Sequence, residues 1–365
     1  MVAWIITSLS ILLLAFSLLP LLSHQVWWVR GLDFPRLQIL YALVFVAVIQ
    51  WLLGDPTQSY VWINYAALGT GIAIQAWWII PYTRLFPHEV PWAEARPGST
   101  RISLLSANVL TPNRNAEALL GFVQRFAPDL ILTLESDRWW EEQLDTLLDR
   151  YPYAVKCPLD NLYGMHLYSR LPLLDPQIAY LVEEDIPSIH CGVSLPDGTE
   201  VQLHALHPAP PSPTQNETSS ERDAELIAVA KRVRQNDRPV IVAGDLNDVA
   251  WSETTRLFRK ISGLLDPRIG RGMFNTFNAK RWYFRWPLDH LFHSGHFTLH
   301  SIRRLPPFGS DHFSLYACLE HTARPQAENG LTADRTDLKE AQEKMANHDL
   351  SSADVPVQTP PLSKP

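Results

Sequence analysis

Pro239-Val240-Ile241-Val242-Ala243-Gly244-Asp245-Leu246-Asn247-Asp248 is the stretch whose reading decides the fold. Residues 240–243 are a short apolar run of the kind that forms a fully buried strand. The run stops at Gly244, and polar side chains follow at i and i+2. Residues two apart in extended chain point to the same side. Asp245 and Asn247 are therefore expected to face one point just past the strand, where a carboxylate and an amide suit a metal-bound or phosphorylated group. Gly, Asp and Asn are also common turn residues, so the stretch alone would read as a strand ending in a turn.

The same event recurs along the chain. Asn108 ends a strand at residues 102–109, Glu135 follows a buried strand at 130–134, and His207 follows an alternating strand at 201–206. Asp289 and His290 open a strand at 288–293, and Asp311 and His312 precede one at 313–319. Helices are expected between them. Asn115 can cap one running to Phe126 with Leu119, Leu120, Val123 and Phe126 inward, residues 140–151 form another, and Ser220 starts a third with Leu226, Val229, Ala230 and Val233 inward. Weaker strands and turns fill residues 153–198. Strands alternating with helices give an α/β class. A lone Glu at a strand end is usually solvated, and a lone His more often packs than catalyses. Repetition at successive strand ends argues for a site, because such ends converge in α/β proteins. His166 reads as packing, and His204 and His290 as pointing away from their motif neighbours. Arg170 reads as a structural partner, and Arg222 as a contact to substrate or to a nearby carboxylate.

The first 86 residues have a different character. Apolar stretches at residues 2–22, 37–53 and 60–81 approach the ~20 residues needed to cross a bilayer, and Trp27, Trp28, Trp51, Trp62, Trp77 and Trp78 lie near their ends. The first lacks the basic segment of a signal peptide and is followed by further apolar stretches. Charge is absent around each whole stretch rather than from one face, which excludes ordinary core helices. Three membrane helices put the first loop, with Arg30 and Arg36, on the same side as the bulk of the chain. The positive-inside rule then places that side in the cytoplasm. Residues 87–99, with Pro87, Pro91, Pro97 and Gly98, read as a linker. Residues 100–321 form the α/β domain, and 322–365 read as a disordered polar tail with a helical patch at 337–347. The net charge of −7 argues against a general nucleic-acid coat protein. Cys157, Cys191 and Cys318 have neither zinc-site nor disulfide-framework spacing.

The ordered set Ser106-Ala107-Asn108, Leu134-Glu135, Leu206-His207-Pro208, Gly244-Asp245-Leu246-Asn247, Leu288-Asp289-His290 and Ser310-Asp311-His312 resembles the endonuclease/exonuclease/phosphatase, or DNase I-like, superfamily. Each piece is short, but their fixed order is specific and spans residues 101–320. The chain looks most like the bacterial members that carry hydrophobic helices before the hydrolase domain. The resemblance implies a four-layer α/β sandwich, two mixed β-sheets face to face with helices outside, on a multi-pass anchor in the bacterial inner membrane.

It also implies a phosphoric ester hydrolase using Mg²⁺, or Mn²⁺ in its place, by attack of water in line with the leaving group. Glu135 would be the chief metal ligand, with Asn108 and Asp311 completing that region. His312 would hydrogen-bond the phosphate, held by Asp289, and His207 would be a second phosphate donor. Asp245 would orient or deprotonate the attacking water, and Asn247 would position the water or the phosphate. Whether the base is Asp245 or the Asp289–His312 pair stays open.

Bases and aromatics interleave between Arg256 and Arg304. Such a surface suits nucleic acid, the phospholipid or inositol phosphate headgroups of the anchoring bilayer, or a solvated loop over a core. An inactive module docking a phosphorylated partner or a lipid headgroup is the alternative from another class. The full complement of site residues speaks against it.

Overall fold

The structure, a computed structural model, describes residues 1–22, 24–94, 98–322 and 330–357. Two sheets form the heart of the molecule. The first contains β1 (Arg101–Asn108), β2 (Leu130–Leu134), β3 (Tyr153–Cys157), β4 (Met165–Ser169), β10 (Phe297–Arg304) and β11 (Leu315–His321), in the order β10-β11-β1-β2-β4-β3. The second contains β5 (Leu173–Ala179), β6 (Ser188–Ser194), β7 (Glu200–Leu206), β8 (Val240–Asp245) and β9 (Asp289–His293), in that order. Each sheet has one parallel pair, β1 with β2 and β7 with β8, and its other pairings are antiparallel.

The two-residue period of the strands builds the layers. Leu104, Leu132, Leu203, Ile241 and Ala243 pack in the common core between the sheets. Their neighbours turn outward. Leu105 and Ile131 meet α5 (Ala116–Phe126) and α6 (Arg138–Leu144), while Val240 and Val242 meet α7 (Ser220–Arg234) and α8 (Glu253–Ser262). Two mixed sheets flanked by helices are the four layers expected. Asn115 caps α5 by accepting from the Ala118 amide. The expected 140–151 helix is shorter, with a 3₁₀ turn at Asp145–Leu147 after α6.

The amino-terminal part forms α1 (Val2–Leu18), the short α2 (Trp27–Arg30), α3 (Arg36–Leu53) and α4 (Ser59–Ile79). Three helical segments here, Val2–Leu21, Arg36–Leu53 and Ser59–Tyr82, are long and apolar enough to cross a membrane. They pack through Ile6, Ile39, Leu43, Val46 and Leu68. A Cβ on Gly71 would come 2.9 Å from Leu43, so the small residue permits close approach of α3 and α4. Buried amides link the helices. Asn64 donates to Gln50 at 2.9 Å, and Gln75 to Ser17 at 3.0 Å.

The ends of these helices rest on the second sheet's outer layer. Ile79 and Tyr82 cluster with Val249, Ala250, Trp251, Ile269 and Leu288. Arg30 pairs with Glu253 at 2.9 Å, and Trp251 donates to the Asp33 carbonyl at 2.8 Å.

The segment expected to be a linker packs on the domain, and the expectation of a disordered tail is corrected. Glu89 pairs with Arg259 in the interior, Val90 is buried, and residues 91–93 bond to Leu299 of β10. Residues 95–97 lie outside the described residues. The tail is ordered over 330–357. Helix α9 (Arg335–Ala346) packs on α7 and α8, burying Ala341 and Met345, and Val355 is buried beyond it. Ion pairs hold it, Lys344 to Asp223 at 2.8 Å and Lys260 to Asp337 at 2.7 Å. Residues 323–329 and 358–365 of the tail lie outside the described residues.

Candidate active site

The strand pattern that fills the core also aims the polar residues. Ile241, Ala243 and Asp245 share the inward face of β8, and Asp245 is the first on it without a partner sheet to fill. The same parity carries Leu104 to Asn108, Leu203 to His207, and Leu291 back to Asp289. These positions gather where the carboxyl ends of both parallel pairs face one another. Gly244 is required there. Its φ is +142°, and a Cβ would lie 2.0 Å from the Leu206 carbonyl oxygen.

Glu135 breaks the parity and still reaches the site. The strand rule would send it to the outer face, but its φ of +57° turns the side chain back. Asn108 joins the two halves, its Nδ2 donating to Glu135 Oε1 at 2.7 Å and to Asp245 Oδ2 at 3.2 Å. Asp289 Oδ2 receives His312 Nδ1 at 2.8 Å, and His312 Nε2 lies 3.5 Å from Asp245 Oδ2. His207 Nε2 is 4.0 Å from the same Asp245 oxygen. Ser310 fixes the last turn, its Oγ donating to the Asn108 carbonyl at 2.8 Å and accepting from the His312 amide at 3.0 Å.

Asn247 is placed by a turn rather than by extended chain. The strand ends at Asp245, and Asn247 has a φ of +50°. Its amide donates to Asp245 Oδ1 at 3.0 Å and its Nδ2 to the Pro208 carbonyl at 3.0 Å. It therefore ties the ends of β7 and β8 together beside Asp245.

Burial and mutual charge set the protonation. Burial pushes Glu135 up to about 7 against its Asn108 hydrogen bond and the nearby His312, and Asp245 and Asp311 add to the rise. Burial also raises Asp245. Burial disfavours an imidazolium at His312, but Asp289 and Asp245 outweigh it and raise the ring to about 10. His207 goes the other way, since burial depresses it to about 4 despite Asp245. The site thus holds one imidazole built to stay charged and one built to stay neutral.

The donor set fits a hard divalent cation. Glu135 Oε2 and Asp311 Oδ1 are buried and have no hydrogen-bond partner among the described residues. Four acidic side chains, Glu135, Asp245, Asp289 and Asp311, lie near one imidazolium, and burial and mutual repulsion hold Glu135 and Asp245 toward protonation, a tension that a bound cation would relieve. Asp245, Asp289 and His312 also bring ligand atoms within 4.8 Å of one another. His312 is engaged with both carboxylates there, whereas Glu135 and Asp311 offer carboxylate oxygens of the kind that Mg²⁺ prefers; Asn108 Oδ1 accepts from the Leu110 amide at 3.1 Å, and its Nδ2 holds Glu135 in place.

A model of the Endonuclease/Exonuclease/phosphatase family matches residues 105–312, more than half of the chain and every residue of this site. The chain belongs to that family. Its relatives are metal-dependent phosphoester hydrolases, and the chain is an enzyme of that kind. No curated protein matches it in sequence.

Solved structures share the family fold. The human Nocturnin catalytic domain with bound sulfate is 18% identical with a TM-score of 0.51, over 63% of this chain and 97% of that one. TDP2 of D. rerio complexed with a single-strand DNA product is 18% identical with a TM-score of 0.50, over 60% and 98%. An endonuclease/exonuclease/phosphatase from Beutenbergia cavernae is 16% identical with a TM-score of 0.50, over 62% and 73%.

Residues of lesser promise sort themselves out. His204 contacts His190 at 2.7 Å, and His290 contacts Arg268 at 2.7 Å, both away from the site. His166 is buried without a hydrogen-bond partner among the described residues. Arg170 donates to the Ala127 carbonyl. Arg222 braces the site from behind, bonding Asp223 and the Asn247 carbonyl and lying 3.3 Å from Asp248. Two supports were missed. Tyr163 packs its ring 5.3 Å from His207, and Thr276 Oγ1 receives the amides of Leu288 and Asp289. Neither carries a sequence signal, because both lie in aperiodic loops.

Proposed function

We propose that the chain is a multi-pass, membrane-anchored phosphodiesterase in which residues 100–321 hydrolyse a phosphate diester with Mg²⁺ or Mn²⁺. One observation carries this reading: Asn108 links Glu135 to Asp245, His312 links Asp245 to Asp289, and Glu135 Oε2 and Asp311 Oδ1 are buried without a hydrogen-bond partner among the described residues.

Glu135 and Asp311, with Asn108 beside them, would hold the cation, which when bound would neutralise phosphoryl charge and stabilise the leaving oxygen. Asp245 orients the attacking water and takes its proton. His312, charged and held by Asp289, donates from Nε2 to a phosphoryl oxygen. His207, kept neutral, donates a second hydrogen bond. Asn247 keeps His207 and Asp245 in register by tying their strand ends together.

The three apolar helices cross the bilayer, and the hydrolase domain lies on the side of the first loop. The contacts Arg30–Glu253 and Trp251–Asp33 support that arrangement, since both loop residues touch the domain. The positive-inside rule makes that side the cytoplasm of a bacterial inner membrane.

The test is cleavage of a chiral phosphorothioate diester by the full chain in detergent, with Asp245→Ala as control. Inversion at phosphorus and loss of turnover in the variant are expected. Retention would mean a covalent enzyme intermediate, and an active variant would remove Asp245 from its role.

A further inference from the structure

The loop from Phe277 to Trp286 joins the active site to the membrane end of the helices. Its stem is at the catalytic pair. Phe277 lies 4.9 Å from the His312 ring, Phe277 and Trp286 pair through their backbones, and the Ala279 amide donates to the Asp311 carbonyl. Its far side is at α3. Gln38 Nε2 donates to the Tyr283 carbonyl at 3.0 Å, and Phe34 packs edge-on against Trp286 at 5.5 Å.

Gln38 lies in the first turn of α3, a helix long and apolar enough to cross a membrane. At 1.5 Å per residue, Gln38 stands about 3 Å above the start of that helix. The next outward positions on α3, Tyr41 and Phe45, are exposed apolar surface that lipid would cover. The loop tip at this level is aromatic and basic. Trp282 is 79% exposed, Tyr283 and Phe284 are exposed beside it, and Lys280 and Arg281 flank them in the open. Trp and Tyr favour the membrane–water interface, and Lys and Arg are drawn to anionic headgroups.

We propose that the 277–286 loop seats in the headgroup layer of the bilayer its own helices cross, and that the enzyme therefore cleaves the headgroup phosphodiester of lipids in that bilayer. This rests on the hydrolase reading above. The chemistry balances with water alone. The water oxygen forms a new bond to phosphorus, one ester P–O bond breaks, and the departing alkoxide takes up the proton. One diester and one water give one phosphomonoester and one alcohol. Nucleic acid is disfavoured because the tip aromatics stand level with the helix end, where a bilayer leaves no path for a strand.

The test uses the full chain reconstituted in phosphatidylcholine vesicles containing phosphatidylglycerol. Three substrates are compared: that lipid, bis-p-nitrophenyl phosphate and a short oligonucleotide. The variant is the triple substitution Trp282→Ser, Tyr283→Ser, Phe284→Ser, three exposed residues that are not among those of the active site. Wild type should cleave the lipid in preference to the oligonucleotide. The variant should lose about tenfold or more on the lipid and keep its turnover of bis-p-nitrophenyl phosphate within about twofold. Equal losses on both substrates would make the loop merely structural and overturn the inference. So would preferred cleavage of the oligonucleotide. A wild type active on bis-p-nitrophenyl phosphate but inert on lipid would overturn the inference alone. Inertness on every substrate would overturn the hydrolase reading with it.

Discussion

Asp289→Asn removes one charge and almost no volume. Asparagine can still accept from His312 Nδ1 through its amide oxygen, so the ring should stay where it is. What changes is the imidazolium's stabilisation. At 2.8 Å and an effective dielectric of 20, the lost attraction is about 6 kcal/mol before desolvation is charged against it. The shift of His312 from 6.5 to about 10 corresponds to about 5 kcal/mol net of burial, shared with Asp245. If about 4 kcal/mol of this is expressed in the transition state, turnover falls on the order of 10³-fold.

The pH profile separates this from a folding defect. A histidine whose folded pKa is raised stabilises the fold fully below its unfolded value near 6.5. That contribution is lost as pH rises through about 10. Activity needs the same proton at Nε2, so the wild-type alkaline limb should lie near 10 and move toward 6.5 in the variant. The assay is turnover of bis-p-nitrophenyl phosphate against pH, with circular dichroism as the control. An unmoved alkaline limb with less than a tenfold loss would refute the reasoning.

Glu135→Gln should abolish turnover yet leave the metal-free fold intact. The free wild type should lose stability as pH rises from about 4.5 through 7, because its raised carboxyl must ionise. Mg²⁺ at about 100 times its Kd should stabilise wild type by about 2.7 kcal/mol and the variant hardly at all; equal stabilisation in thermal melts would contradict the ligand assignment. Glu89→Ala leaves the buried Arg259 charge unpaired and should cost about 3–5 kcal/mol, a loss that denaturant unfolding would either reveal or exclude. Met345→Ala should cost about 2 kcal/mol if α9 is part of the fold, whereas a loose tail would tolerate it without change.

The site was legible wherever a strand's own period did the aiming. Asn108, His207, Asp245 and Asp289 continue the inward face of the apolar run they border, so position in sequence gave position in space. The period could not announce Glu135, whose side chain depends on a left-handed backbone. Nor could it announce the turn at Asn247, where a left-handed backbone follows the end of the strand. The packed linker and the ordered tail were hidden by distance. Glu89 finds Arg259, and Lys344 finds Asp223, across long separations that no local pattern encodes. Helix α8 and strand β10 were overlooked because both are rich in polar and basic residues, and only Leu257, Phe258 and Ile261 mark the inward face of the helix.

The most direct measurement is turnover of bis-p-nitrophenyl phosphate by the full chain in detergent, first after EDTA and then with Mg²⁺ restored. The account predicts no turnover after chelation, full recovery with Mg²⁺, and no recovery in Glu135→Gln. Turnover that survives chelation, or recovers equally in the variant, would contradict it.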